Sequence, residues 1–205
     1  NADGSAVTRL TRNTWMDLAP AWSPDGRRMA FHANPEGVGR SDLYVMDADG
    51  SNLRRLTDSS APDEFPVWSP DGGKLAFQTE RDGNFDVYAL DLNTGEVENL
   101  THHPARDKFP AWSPNGHSIA FLSDRDGNYE IYRARVDGGG ATRLSDNRAE
   151  DGHPAWSPDG RQIAFESDRT GDWEIFVMNE DGTQPRNLTN HPGADGPPRW
   201  RGAPR

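Results

Sequence analysis

Hydrophobic residues in this chain come in short bursts separated by polar stretches rich in Gly and Pro. One burst is a triplet that appears four times: Met29-Ala30-Phe31, Leu75-Ala76-Phe77, Ile119-Ala120-Phe121 and Ile163-Ala164-Phe165. A second burst is Leu43-Tyr44-Val45-Met46, matched by Val87-Tyr88-Ala89-Leu90, Ile131-Tyr132 and Ile175-Phe176-Val177-Met178. Runs this short, bounded by turn residues, are strand signals, and no stretch keeps a helical period. The apolar positions are consecutive rather than alternate. A sheet built from them must therefore be covered on both faces.

The bursts sit in a repeat. Trp22, Trp68, Trp112, Trp156 and Trp200 are spaced 46 and then 44 residues apart. Around them the chain reads PAWSPDG (20–26), PVWSPDG (66–72), PAWSPNG (110–116) and PAWSPDG (154–160), with a last partial copy, PPRW, at 197–200. Each unit predicts four strands. The first is the P-x-W segment. Ser-Pro-Asp-Gly then makes a tight turn, in which Pro pre-sets the backbone and Gly accepts a positive φ. The second and third strands are the two bursts. The fourth ends in Leu-Thr or Leu-Ser, as at Leu100-Thr101 and Leu144-Ser145. Four short antiparallel strands per ~44 residues, covered on both faces, describe the blades of an all-β propeller. The expected order is an orphan fourth strand over 1–11, blades over 19–57, 65–101, 109–145 and 153–189, and an orphan first strand over 197–205. Both ends fall mid-repeat, so we expect a segment of a longer array.

The succession P-x-W-S-P-D-G, I-A-F, S-D-R-x-G, E-I-Y, D-G, R-L-T resembles the PD40 type of WD40-like repeat, that of the TolB β-propeller, over essentially the whole chain. The same repeat builds propellers in prolyl-oligopeptidase-like peptidases, the tricorn protease and oligogalacturonate lyases. The resemblance implies a six-bladed whole in the bacterial envelope, periplasmic or extracellular. It also implies a non-catalytic module that binds a protein or peptide partner at the channel mouth. Its enzyme members imply the alternatives: a peptidase gate or a metal-dependent lyase. The sequence holds no G-x-S-x-G elbow, P-loop, G-x-G-x-x-G or H-E-x-x-H motif, so the hydrolase half of a peptidase is not encoded in these residues.

Composition changes the picture in three ways. Leu, Ile, Val and Phe make up about 16% of the chain, below the roughly 20% at which a charged chain is suspected of disorder. The Trp register overrides that suspicion. The chain has no Cys, which excludes disulfides and thiolate metal sites. The net charge of −11 disfavours a phosphate-neutralising surface and favours a basic partner. We therefore expect no nucleic acid. No apolar run approaches the roughly 20 residues of a membrane helix, so we expect no membrane insertion. Open blade edges predict self-association.

Candidate chemistry lies at three places. Asp17, Asp63, Asp107, Asp151 and Asp195 each precede a repeat Trp by five residues. As a ring at the channel mouth they are candidates to hold a basic peptide or a cation; as turn residues they would cap their own loops. The hairpin with Asp124, Asp126, Asn128 and Glu130 places oxygen ligands at alternate positions, the donor set of Ca²⁺. Its Asp-Gly-Asn core is equally hairpin-turn chemistry, and Arg81, Arg125 and Arg169 in the three equivalent hairpins are placed for ion pairs. No cofactor is required by this reading, and Ca²⁺ is the candidate ion. The third place is the hairpin loop of the first blade, 32–40, which is two residues longer than its counterparts and breaks the repeat's symmetry. Among the His residues, His103, His153 and His191 sit in loops that a lyase would converge on a metal.

Overall fold

The computed structural model describes residues 5–35 and 40–200. The described residues form sixteen strands and no helix. The first blade holds β1 (Met16–Trp22), β2 (Arg28–Asn34), β3 (Asp42–Asp47) and β4 (Arg54–Arg55). The second holds β5 (Asp63–Trp68), β6 (Lys74–Thr79), β7 (Asp86–Asp91) and β8 (Val97–Asn99). The third holds β9 (Asp107–Trp112), β10 (Ser118–Ser123), β11 (Glu130–Arg135) and β12 (Ala141–Arg143). The fourth holds β13 (Asp151–Trp156), β14 (Gln162–Ser167), β15 (Glu174–Asn179) and β16 (Arg186–Asn187). Each blade is a separate antiparallel sheet in sequence order, and no sheet among the described residues closes. This is an all-β propeller array of four blades. The first strands of successive blades, β1, β5, β9 and β13, lie side by side.

The consecutive apolar pairs explain the stacking. In a strand, neighbouring side chains point to opposite faces. Ala76 faces forward into a cluster with Ile119, Phe121 and Tyr132 of the third blade. Phe77, next to it, faces back onto Leu43 of the first blade. The small residue leaves room for the following blade's aromatic ring. Phe77, Phe121 and Phe165 are fully buried by this alternation.

The Trp residues key each blade to the one before. Trp68 Nε1 donates to the Ala21 carbonyl at 2.9 Å, and Trp112 Nε1 to the Val67 carbonyl at 3.2 Å. Trp200 makes the same bond to Ala155 at 2.9 Å. Trp156 departs from the pattern, its Nε1 being buried without a partner. Trp22 has no blade before it among the described residues and is 54% exposed.

The chain ends differ from expectation. Residues 5–12 and 196–200 carry no strand, and the rest of the two expected orphan strands, 1–4 and 201–205, lies outside the described residues. A strand needs a hydrogen-bonded neighbour, and neither segment has its own blade to pair with here. Leu10 instead packs on Phe31, Ala33, Tyr44 and Met46, the face of the first blade that no other blade covers. The strands also run from Asp63, Asp107 and Asp151. In these three blades the recurrent Asp is thus the first residue of the innermost strand rather than part of the loop before it, while Asp17 is the second residue of β1 and Asp195 lies in no strand.

Candidate functional site

The innermost strands carry a bulge at one repeat position. Ladder register shifts between Leu18 and Ala21, Glu64 and Val67, and Gly152 and Ala155. The bulged residues Ala19, Phe65, Phe109 and His153 have φ of +48°, +53°, +50° and +39°. Pro follows each of them and removes a ladder donor, which suits a bulge. Bulges re-aim side chains, and here they bring Phe65, Phe109 and His153 into a row that His32 of the first blade extends, one ring from each of the four blades. The centroids of His32 and Phe65 lie 5.3 Å apart, those of Phe65 and Phe109 4.8 Å, and those of Phe109 and His153 4.3 Å.

Second-strand side chains hold the bulges open. The Phe65 N–H donates to His32 Nδ1 at 3.1 Å, and the Phe109 N–H donates to Gln78 Oε1 at 3.2 Å. His153 Nδ1 pairs with Glu166 Oε2 at 2.5 Å. Burial holds His32 below the ordinary imidazole value, with Glu64 opposing. Lys108, beside Phe109, lies 4.0 Å from the Phe85 ring, and burial and then Arg106 hold its ammonium pKa down. Glu64, Phe65, Lys108, Phe109 and His153 are half-buried, a rim of aromatic and charged groups along the innermost strands.

The sequence-expected Asp ring lies beneath this rim. Asp63, Asp107 and Asp151 are fully buried or 1% exposed. Each accepts a bond from the hairpin Arg of its own blade: Arg81 at 2.9 Å, Arg125 at 3.0 Å and Arg169 at 2.9 Å. Those guanidinium groups lie over ring pairs, Arg125 at 5.7 Å from Phe121 and 4.6 Å from Tyr132. Burial pushes Asp107 and Asp151 above the ordinary carboxylate value despite these partners. The Asp63, Asp107 and Asp151 N–H groups bond to the preceding blade's Ser41, Phe85 and Tyr129 carbonyls. Asp17 and Asp195 are half-buried. Asp17 accepts from Asn13 at 3.3 Å, and Asp195 faces His191 Nε2 at 3.2 Å with one oxygen unpaired.

The four candidate Ca²⁺ ligands are engaged in hydrogen bonds within the fold. Asp124 accepts the Arg106 N–H at 2.8 Å, and Asp126 accepts the Tyr132 hydroxyl. Asn128 donates to Glu130 at 3.1 Å and to the Ala149 carbonyl at 2.5 Å. Glu130, fully buried, accepts from Ser145 Oγ at 2.5 Å, the Asn147 N–H at 2.8 Å and Arg143 at 2.9 Å. Among the described residues no group of three or more His, Cys, Asp or Glu is placed to hold a metal. The loop His residues do not converge: His103 accepts the Ala105 N–H at 3.1 Å, while His191 turns to Asp195. In the long hairpin loop of the first blade, 36–39 lie outside the described residues.

Glu130 and its counterparts Asp86 and Glu174 tie the loop after the fourth strand to the third strand. Burial pushes Glu130 up, but its bonds from Ser145, Asn147, Arg143 and Asn128 outweigh that and hold it below the ordinary Glu value. A carboxylate with a lowered folded pKa stabilises the fold above its unfolded value, and that contribution is lost as pH falls through the folded pKa. We expect Glu130→Gln to cost about 1–3 kcal/mol at neutral pH, read from the urea midpoint. We expect the difference from wild type to shrink on acidification.

Sequence reasoning missed the aromatic row. Its signal was present as variation: the repeat keeps Asp, Pro and Trp in the first strand but places Ala19, Phe65, Phe109 and His153 at one position. The position after the triplet likewise reads His32, Gln78, Leu122 and Glu166. Positions that vary on a constant frame are not dictated by the frame.

In repeat and fold this is a TolB-like β-propeller array. The Tricorn protease N-terminal beta propeller domain family matches residues 38–130. The Tol-Pal system protein TolB of Rhizorhabdus wittichii is 45% identical over 47 residues, which are 23% of this chain and 10% of that protein. The crystal structure of TolB from Acinetobacter baumannii superposes with a TM-score of 0.77 at 27% identity, covering 86% of this chain and 44% of that one. A putative TolB from Agrobacterium tumefaciens superposes at 0.71 and 26% identity, covering 87% of this chain and 82% of that one. The chain therefore spans less than half of the R. wittichii and A. baumannii proteins. Puromycin hydrolase and a Vibrio parahaemolyticus oligogalacturonate lyase, 19% and 17% identical, share the fold alone.

Proposed function

We propose that this chain is a non-catalytic interaction module of the bacterial envelope that binds a basic protein or peptide segment along its innermost strands. The observation that carries this reading is the row His32, Phe65, Phe109 and His153, flanked by Glu64 and Glu166. The half-buried rings of Phe65, Phe109 and His153, packed edge-on and tilted, offer a low-entropy contact surface, and an acidic chain attracts a basic segment over a Debye length. Asp63, Asp107 and Asp151 then serve as the frame under the contact surface, while Asp17 and Asp195 border it. The periplasmic placement and the protein partner draw on the TolB likeness.

The test is titration of the full chain with a Lys- and Arg-rich peptide by calorimetry. We expect affinity to fall as salt rises, and Phe109→Ala to weaken it at least tenfold with the circular dichroism spectrum unchanged. Salt-independent binding, or an unaltered affinity in the variant, would overturn the reading. Self-association belongs to the same proposal. Met16, Leu18 and Trp22 are 66%, 46% and 54% exposed on the first blade, a face that another blade of the repeat would cover. Sedimentation equilibrium should show a mass above that of one chain, and Trp22→Glu should lower it.

A further inference from the structure

The gaps between blades are built from the same repeat positions but are not filled alike. Between the first and second blades, the Arg28 guanidinium lies 4.7 Å over the Trp68 ring and donates to the Gly72 carbonyl at 3.4 Å. Trp68 is left only 8% exposed. Between the second and third blades the same three positions are Lys74, Trp112 and Gly116. Among the described residues no cation stacks on Trp112, which is half-buried. A groove of about 470 Å³ opens there, lined by Lys74, Glu98, Leu100, Trp112, Gly116 and His117.

We propose that this groove binds an arginine side chain of a partner protein or peptide, seated as Arg28 is seated one blade earlier. The chain itself supplies the template: an indole face for the guanidinium plane and a Gly carbonyl at its edge. Charge follows the same direction. The position of Glu98 in this gap is held by Arg54 in the filled one, so the open gap gains a carboxylate where the filled one has a second cation. Asp71 also borders the groove, and Ser69 and the Gly73 N–H hold its carboxyl below the ordinary value. Two carboxylates thus face the single ammonium of Lys74. A planar guanidinium suits this seat better than an ammonium, because it stacks on indole and keeps edge donors for carbonyl and carboxylate. The groove lies at the Ser-Pro-Asp-Gly end of the innermost strand, away from the aromatic row, and this inference stands independently of the function proposed above.

The test uses the full ¹⁵N-labelled chain, with the blocked peptides acetyl-Gly-Arg-Gly-amide and acetyl-Gly-Lys-Gly-amide as probes. The Trp112 indole N–H signal, assigned with Trp112→Phe, should shift saturably with the Arg peptide and at least fivefold more weakly with the Lys peptide. Lys74→Arg should fill the groove from within and abolish the shift, with the other indole signals unmoved as proof of an intact fold. Arg28→Ser should open the first gap, so that the Trp68 indole signal also responds. A Trp112 signal that ignores the Arg peptide, responds equally to both peptides, or titrates unchanged in Lys74→Arg would overturn the proposal.

Discussion

Replacing Arg125 by Ala should destabilise the protein by about 3–5 kcal/mol at neutral pH, because it leaves the Asp107 carboxylate buried without its cation. At the 2–4 °C per kcal/mol typical of chains of 150–250 residues, this is a drop of roughly 10 °C in Tm. Asp107 has no exposed surface and Arg125 has 14%, so solvent cannot substitute for either partner. Removing the guanidinium also uncovers Phe121 and Tyr132. The pH dependence separates the two losses. Burial already holds the Asp107 pKa above its ordinary value, with Ser123 and Arg125 pulling it down. A carboxyl whose folded pKa is raised stabilises the fold most when protonated, below its unfolded pKa, and this contribution fades as pH rises through the folded value. Arg125→Ala removes a group that lowers that pKa, so the variant's folded carboxyl should bind its proton more tightly still. Its deficit should be largest at neutral pH and shrink toward the acid side, leaving the packing loss. Asp107→Leu combined with Arg125→Met should recover most of the stability, since a buried ion pair contributes little beyond a well-packed apolar pair. Thermal melts at pH 7 and pH 4 on the wild type and the two variants check both statements. A pH-independent deficit would place the role of Arg125 in packing alone.

The frame of the molecule was legible because its physics repeats. Trp68 and Trp112 had to lie between blades, since a large ring held in register every 44 residues needs a repeated pocket, and their indole bonds to Ala21 and Val67 follow. The pairs Ala76-Phe77 and Ala120-Phe121 announced sheets covered on both faces. What stayed hidden depends on distances between strands and between blades, on which a one-dimensional repeat is silent. Asp107 and Arg125 are eighteen residues apart and meet only after the first and second strands pair, Asp107 opposite Ser123. The rings of Phe65, Phe109 and His153 come together only because the innermost strands converge. Spacing alone gave Asp124, Asp126, Asn128 and Glu130 the look of a ligand set. Burial turns Glu130 inward to Ser145 and Arg143, while Asp124 caps the Arg106 N–H. The exchange of Arg28 for Lys74 reads as conservative in sequence, yet Arg28 covers Trp68 while a groove opens beside Trp112.

Gly182→Ala should be the most damaging of the small substitutions, and Gly138→Ala is its control. Both glycines have positive φ, +85° and +87°, and both occupy the turn between the third and fourth strands of a blade. An Ala in that conformation costs about 1–2 kcal/mol wherever it stands. Around Gly138 a Cβ meets nothing within 4 Å, so the conformational cost is all that should appear. At Gly182 the Cβ would overlap the Leu144 carbonyl oxygen of the preceding blade, and its nearest contacts are all backbone. Backbone cannot rotate away as a side chain can, so the fourth blade must shift off the third. That movement would loosen the cluster in which Leu144 and Ile131 meet Phe165, Phe176 and Met178. Opening a packed core by roughly 0.5–1 Å forfeits about a quarter to a half of the dispersion energy of the contacts concerned, and overpacking of this kind costs typically about 1–3 kcal/mol more. We therefore expect Gly138→Ala to lower stability by about 1–2 kcal/mol and Gly182→Ala by roughly twice that or more, measured by urea unfolding. The same contact recurs at Gly50, where a Cβ would lie 2.9 Å from the Leu10 carbonyl oxygen. There the neighbour is a segment without a sheet of its own, free to yield without moving a blade. Gly50→Ala should consequently fall near Gly138→Ala. If instead it matches Gly182→Ala, the segment around Leu10 is held as firmly as a blade.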